Sequence, residues 1–208
     1  MKTSLQQIRP SNWTEHPSAS TWLIVDWDGN YFKQNKRFVP DKTGGCCVYT
    51  PEHPLQGIGV SRCSAQIHSK EPLEITSLGL RRNAWRPEQG IGQCDAILFP
   101  TSDKSGDAFL LVETKYSERE DSWQEYKKHA LKQITDTISQ LSKRDCPIGE
   151  RNLFGLISFP LLDEIGASVF SPAEVAAIFE EHGVQIYMGN SATFEDAQTI
   201  SFIDEVRG

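Results

Sequence analysis

The stretch CDAILFPTSDKSGDAFLLVETK, residues 94–115, decides how the rest of the chain is read. Two apolar runs, Ala96 to Phe99 and Phe109 to Val112, flank a polar segment containing Asp103, Ser105 and Gly106. Short apolar runs bounded by turn formers predict two antiparallel strands buried on both faces. Side chains alternate along a strand, so Glu113 and Lys115 leave the same face. Asp95 opens the neighbouring strand, and antiparallel pairing sets it beside the end of the other. Two carboxylates and one ammonium are therefore expected to meet at one end of a sheet. Charge at the end of a buried strand costs several kcal/mol per ion unless it is paired or coordinated.

The flanking sequence extends this pattern into an α/β domain. Leu73 to Leu80 predicts a strand before the hairpin. After it, Ser122-Trp123-Gln124-Glu125 fits a helix-capping box. Trp123, Tyr126, Ala130, Ile134, Ile138 and Leu141 recur at helical spacing, and Pro147 ends the helix. Leu153 to Phe159 is a further apolar strand. Ser171-Pro172-Ala173-Glu174 opens a second helix closed by Gly183, and Val184 to Tyr187 predicts a strand after it. Early strands with short connections form a meander, and later strands separated by helices join in parallel. The expectation is a central mixed β-sheet flanked by α-helices over residues 71–208. Residues 1–70 are rich in turn formers and predict an irregular N-terminal extension, apart from one short strand at Thr21 to Val25. Leu55 to Ile67 is compatible with a helix weakened by Gly57 and Gly59.

The chemistry expected of Asp95, Glu113 and Lys115 is that of a hard-cation site. Asp95 and Glu113 supply carboxylate oxygens for Mg²⁺ or Mn²⁺, and the backbone carbonyl of Thr114 adds a third. A bound cation lowers the pKa of water and clamps a phosphoryl oxygen, and Lys115 orients the water or stabilises developing charge. The plainer reading makes Asp95 a turn residue and Glu113–Lys115 a solvated pair on an edge strand, worth under about 1 kcal/mol.

Cys94-Asp95, the hairpin, Glu113-Thr114-Lys115 and the helix and strand that follow resemble the PD-(D/E)XK, or restriction-endonuclease-like, nuclease superfamily. The resemblance implies a restriction-endonuclease-like core and hydrolysis of phosphodiesters with divalent metal. It gives Asp95 the role of the motif's Asp, Glu113 that of its second acid and Lys115 that of its lysine. Cys94 stands where the motif has proline, which is not a ligand. Many members carry a glutamine in the next helix, and Gln133 is the candidate here ahead of Gln124. Some members add a Glu from a helix before the sheet, and Glu52, Glu71, Glu74 and Glu88 are unranked for that role.

Composition bounds the partners. The chain has 208 residues, 21 Lys+Arg against 28 Asp+Glu, and a net charge of −7. Five Trp, ten Phe and five Tyr supply bulk for a packed core, which argues against disorder. An acidic chain is not a general coat for nucleic acid, so contact needs a local basic patch or a bridging cation. Arg81, Arg82 and Arg86, with Trp85 among them, precede the Asp95 strand and are the candidate nucleic-acid contacts through phosphate pairing and base stacking. Five cysteines without a CxxC pair predict reduced thiols and a cytoplasmic protein, as do Met1 to Pro10, which lack an apolar signal stretch. The reading is a metal-dependent endonuclease, acting on DNA in preference to RNA, in defence or repair, as a homodimer or a subunit of a larger complex. The alternative is a catalytically silent binding module of the same fold, or a subunit that needs a partner.

Overall fold

The computed structural model describes residues 1–8, 13–27, 45–51, 63–80, 90–116, 123–162 and 170–202. In chain order the elements are α1 (Lys2–Ile8), β1 (Trp13–Asp26), β2 (Cys46–Tyr49), β3 (Ala65–Gly79), β4 (Ala96–Pro100) and β5 (Ala108–Thr114). They continue with α2 (Trp123–Ser142), a short 3-10 turn, β6 (Asn152–Ser158), α3 (Pro172–His182), β7 (Val184–Met188), β8 (Ser191–Phe194) and β9 (Ile200–Ser201).

The strands run β2-β1-β3-β4-β5-β6-β7 across one mixed sheet. β3, β4 and β5 are an antiparallel meander, and β6 and β7 then join in parallel. The chain is thus a mixed α/β protein, as the sequence pattern predicts. β5 is apolar on both faces because it lies inside the sheet, between β4 and β6. Ile97, Phe99, Phe109 and Leu111 face the helices and pack on Ala130, Ile134 and Leu141 of α2. Ala96, Leu98, Leu110 and Val112 face the other way.

That other face shows where the sequence reading fails. The described residues before position 71 do not form an irregular extension: β1 is a 14-residue strand, β2 pairs with it, and β3 already begins at Ala65. A boundary at residue 70 would cut β3, and Ala65 to Ile67 is strand rather than helix. β3 is long enough to belong to two halves of the sheet. Its first half lies between β1 and β8, with Ile67 opposite Trp22 and Ala192. Its second half lies between β1 and β4, with Leu78 opposite Trp13 and Ile97. Between the halves, Lys70, Glu71 and Pro72 are exposed, and β1 has register shifts between His16 and Thr21. Bulges and proline bend a sheet and increase its twist. Here the bend folds the first half over the second. Trp22, Ile24 and Ile67 from one half share a core with Ile75, Leu98 and Leu110 from the other.

The fold-over closes at Gly79. A methyl group there would lie 2.0 Å from the Cys46 carbonyl oxygen, so the start of β2 rests directly on the end of β3. Only a residue without Cβ permits this approach.

α3 matches its sequence signals. Ser171 and Glu174 form a reciprocal capping box, Pro172 opens the helix, and Gly183 closes it at φ 67°. Lys127 of α2 pairs with Glu174 at 2.7 Å, which joins the two helices. That ammonium, with the Ser171 amide, holds the Glu174 carboxyl at about 2. Among the described residues no helix is long and apolar enough to cross a membrane.

Gly79→Ala tests the closure. Forcing a methyl group against fixed backbone is expected to cost about 1–3 kcal/mol, read as a lower urea midpoint. An unchanged midpoint would mean that the Cys46 contact does not hold the two halves together.

Candidate active site

The hairpin register builds the site. Ala96, the first residue of β4, pairs with Val112 of β5. The Asp95 amide donates to the Val112 carbonyl at 2.9 Å, so Asp95 lies just before this ladder, beside the end of β5. Glu113 follows Val112 and leaves β5 on the face of Leu111, which α2 covers. Asp95 Oδ2 accepts two hydrogen bonds from Thr114, at 2.7 Å from its amide and 2.6 Å from its hydroxyl. The Asp95 carboxylate is thereby fixed at the end of β5.

Lys115 extends β5 by one residue, its amide donating to the Ser158 carbonyl of β6 at 2.7 Å. Its ammonium pairs with Glu113 Oε1. It also donates to Gln133 Oε1 at 2.7 Å, and the Gln133 amide donates in turn to the Gln93 carbonyl at 2.8 Å. Asp95, Glu113, Lys115 and Gln133 are therefore brought together as the sequence reading places them. The Gln124 side chain lies outside the described residues, as do Arg81, Arg82, Trp85, Arg86, Glu52 and Glu88. Glu71 and Glu74 fall in and beside the exposed bend of β3, and Glu74 is itself exposed.

The solvated-pair reading does not survive. Glu113 is 1% exposed on an interior strand, and its other oxygen, Oε2, is buried with no hydrogen-bond partner among the described residues. Burial, and then the Asp95 charge, push the Glu113 carboxyl well above the ordinary range, against the pull of Lys115. Burial alone would lower Lys115, but the Glu113 and Asp95 charges outweigh it and the ammonium is held above its usual value. An orphaned carboxylate oxygen in such a place is costly, and a cation or a donor from a ligand would satisfy it.

Three side chains of α2 that the sequence reading did not single out together steady the approach to Asp95. Asp136 Oδ2 accepts from the Gly92 amide at 2.6 Å, and Thr137 Oγ1 accepts from the Cys94 amide at 2.8 Å. With Gln133 on the Gln93 carbonyl, consecutive residues 92, 93 and 94 are each held by the helix. Positions 133, 136 and 137 share one helical face, which is the signal that was available. Gly92 fits beneath them because a methyl group there would stand 3.0 Å from the Gln133 Cα. Thr137 also donates to the Gln133 carbonyl at 2.7 Å.

The residues suit a hard cation. Carboxylates from two adjacent strands converge, and one buried oxygen lacks a partner. Mg²⁺ is commonly held by one or two carboxylates, with water and substrate oxygens completing the shell. Among the described residues no group of three or more His, Cys, Asp or Glu is placed to hold a metal. The five cysteines are free thiols. Burial, first of all, raises the thiol pKa of Cys46, Cys63 and Cys94, with Cys63 at about 11. None of these three is poised as a nucleophile.

No protein-family model, curated protein or solved structure matches this chain. Function is accordingly read from the site itself.

Thr137→Val would leave the Cys94 amide buried without an acceptor. It is expected to cost about 1–3 kcal/mol in urea unfolding, while Thr137→Ser keeps wild-type stability. Equal stability of the two variants would remove the clamp from the account of Asp95.

Glu113 makes a pH test possible. Its folded pKa lies above its unfolded value, so folding retains a proton that the unfolded chain releases. Its contribution is fully present below about pH 4.5 and is lost as pH rises toward the folded pKa. Measured in EDTA, Glu113→Gln should gain stability relative to wild type as pH rises above the ordinary carboxylate range. A difference that stays flat with pH would contradict the raised carboxyl.

Proposed function

We propose that this chain is a Mg²⁺- or Mn²⁺-dependent nuclease of the PD-(D/E)XK kind, a hydrolase that cuts DNA phosphodiester bonds in preference to those of RNA. The observation that carries this reading is the buried Glu113 Oε2 without a partner among the described residues, near Asp95 and beside a fixed ammonium. The order of elements agrees with it: an antiparallel meander β3-β4-β5 bearing the acids, a covering helix α2, then β6 parallel to β5. A restriction-endonuclease-like core has this order.

Asp95 and Glu113 would hold the cation, with the Thr114 carbonyl as the nearest backbone oxygen donor in sequence. When bound, the cation polarises a phosphoryl oxygen and makes water a better nucleophile at neutral pH. The chain's own groups do the rest. Thr114 fixes the Asp95 carboxylate through two hydrogen bonds. Gln133 and Glu113 fix the Lys115 ammonium from two sides, leaving it directed at the acid pair. From there Lys115 orients the attacking water and stabilises charge that develops on the phosphate. A preset ammonium costs little reorganisation when that charge appears. Defence and repair are the roles that suit a compact DNA-cutting hydrolase.

Cleavage of supercoiled, linear duplex and single-stranded DNA and of RNA, each with Mn²⁺, Mg²⁺ or EDTA, tests the proposal. Wild type should nick or linearise supercoiled DNA with metal and not with EDTA. Lys115→Ala should lower the rate by at least about 10²–10³-fold, and Asp95→Asn should abolish it. Cutting that survives both substitutions would sink the assignment. Absence of cutting on every substrate would favour the silent binding module or the partner-dependent subunit.

A further inference from the structure

The Tyr116 hydroxyl joins two backbone segments that are distant in sequence. The Asp26 amide donates to it at 3.0 Å, and it donates to the Cys63 carbonyl at 3.1 Å. Asp26 ends β1, Cys63 leads into β3, and Tyr116 directly follows Lys115. Its ring packs with the cluster of Leu23, Val25, Trp27 and Cys63. Burial raises the hydroxyl well above its ordinary range, so it stays a donor across neutral pH.

A second contact brings the same region to the other side of the site. Cys46 is the register partner of Asp26, and its carbonyl rests on Gly79. Gly79 pairs with Ala96, the neighbour of Asp95. Asp26 is therefore tied toward Lys115 through Tyr116 and toward Asp95 through Cys46. Side-chain alternation agrees with this placement. Asp26 lies on the face of β1 that carries Trp22 and Ile24, and these share a core with Ala96 and Val112 beside the site.

We propose that Tyr116 is a positioning residue that, by binding the Asp26 amide, holds the end of β1 beside the Asp95 and Glu113 acids, so that the folded-over N-terminal strands contribute a third acidic group, Asp26, to the cation-attracting field of the site. This rests on the reading of Asp95 and Glu113 as a cation site. No three acidic residues among those described are placed to hold one ion. Asp26 thus acts at longer range, through the field or an ion-bound water, as outer-shell groups do.

The test is Mn²⁺ titration by calorimetry into the full chain, without nucleic acid and at fixed ionic strength. Asp26→Asn and Tyr116→Phe should each weaken Mn²⁺ binding by about tenfold. The double variant should bind no more weakly than Asp26→Asn alone, because the hydroxyl acts through Asp26. Amide exchange read by NMR should quicken at Asp26 in Tyr116→Phe and stay unchanged elsewhere in the site. Wild-type affinity in Asp26→Asn would overturn the proposal, even where Tyr116→Phe fails to fold. So would a Tyr116→Phe loss that persists undiminished in the Asp26→Asn background, which marks a merely structural tyrosine. Mn²⁺ binding abolished by Glu113→Gln but untouched by Asp26→Asn leaves the cation site standing and removes Asp26 alone. Wild type that takes up no Mn²⁺ removes the cation site, and this inference with it.

Discussion

The structure turns on a charged pair held where charge is expensive. Glu113 lies at the end of an interior strand, 1% exposed, with the Lys115 ammonium on one oxygen and no described partner on the other. The chain does little to relieve this. It could have placed a second donor at Oε2, or an aliphatic residue at 113, and an aliphatic replacement of a buried ion pair is often neutral or stabilising. Instead the surrounding contacts fix neighbouring groups in place. Thr114 immobilises Asp95, Gln133 immobilises Lys115, and α2 secures residues 92–94. Rigidity around an unsatisfied group is what the proposed cation site would require, since its donors are then in place before an ion arrives.

The second constraint is closure of the sheet. β1 and β3 are long, and their outer halves return over the face of β4, β5 and β6 that the helices leave uncovered. This return seals the core of Trp22, Ile24, Leu98 and Leu110 and brings the end of β1 to the end of β5. One physical requirement, burial of the second face of an apolar sheet, thus delivers Asp26 and Tyr116 to the site. Packing and site geometry have the same cause here. Gly79 is where they meet, because its missing side chain lets Cys46 sit beside the strand that carries Asp95.

The site was legible in the sequence because its residues are local. Asp95, Glu113 and Lys115 lie on one hairpin; strand alternation puts Glu113 and Lys115 on one face, and antiparallel pairing sets Asp95 beside the end of their strand. Gln133 was legible from its place beside the apolar stripe of α2, and α3 from its caps. The N-terminal strands were not legible. Pro17 counts among the turn formers of residues 1–70, whereas it and Pro72 sit at the bend of two continuous strands. β8 escaped because its pairing is parallel with β3, more than a hundred residues away, and it spans only 4 residues. Asp26 was hidden for the same reason, since nothing in its neighbourhood connects it to Tyr116 except the folded sheet. Asp136 and Thr137 were hidden differently: their helical face was visible, but their partners are backbone groups, which a side-chain pattern does not show.

The acidic balance of the chain bears on the proposed chemistry. A net charge of −7 opposes phosphate, and the acids grouped at the proposed site would add to that opposition where cutting would occur. At such a site a nucleic acid backbone is repelled until cations change the sign of the field. The same carboxylates that repel substrate alone would bind it through a shared ion, with oxygens from both sides in one coordination shell. Affinity for substrate and competence for hydrolysis would then share one condition. A basic nuclease can bind first and wait for its metal. An acidic nuclease built as proposed would have no comparable resting complex, and the raised Glu113 carboxyl adds a proton that the ion must displace. On the proposed reading, the buried, unpartnered oxygen and the acidic balance of the chain would be two expressions of one arrangement, with the ion as the bridge between protein and phosphate.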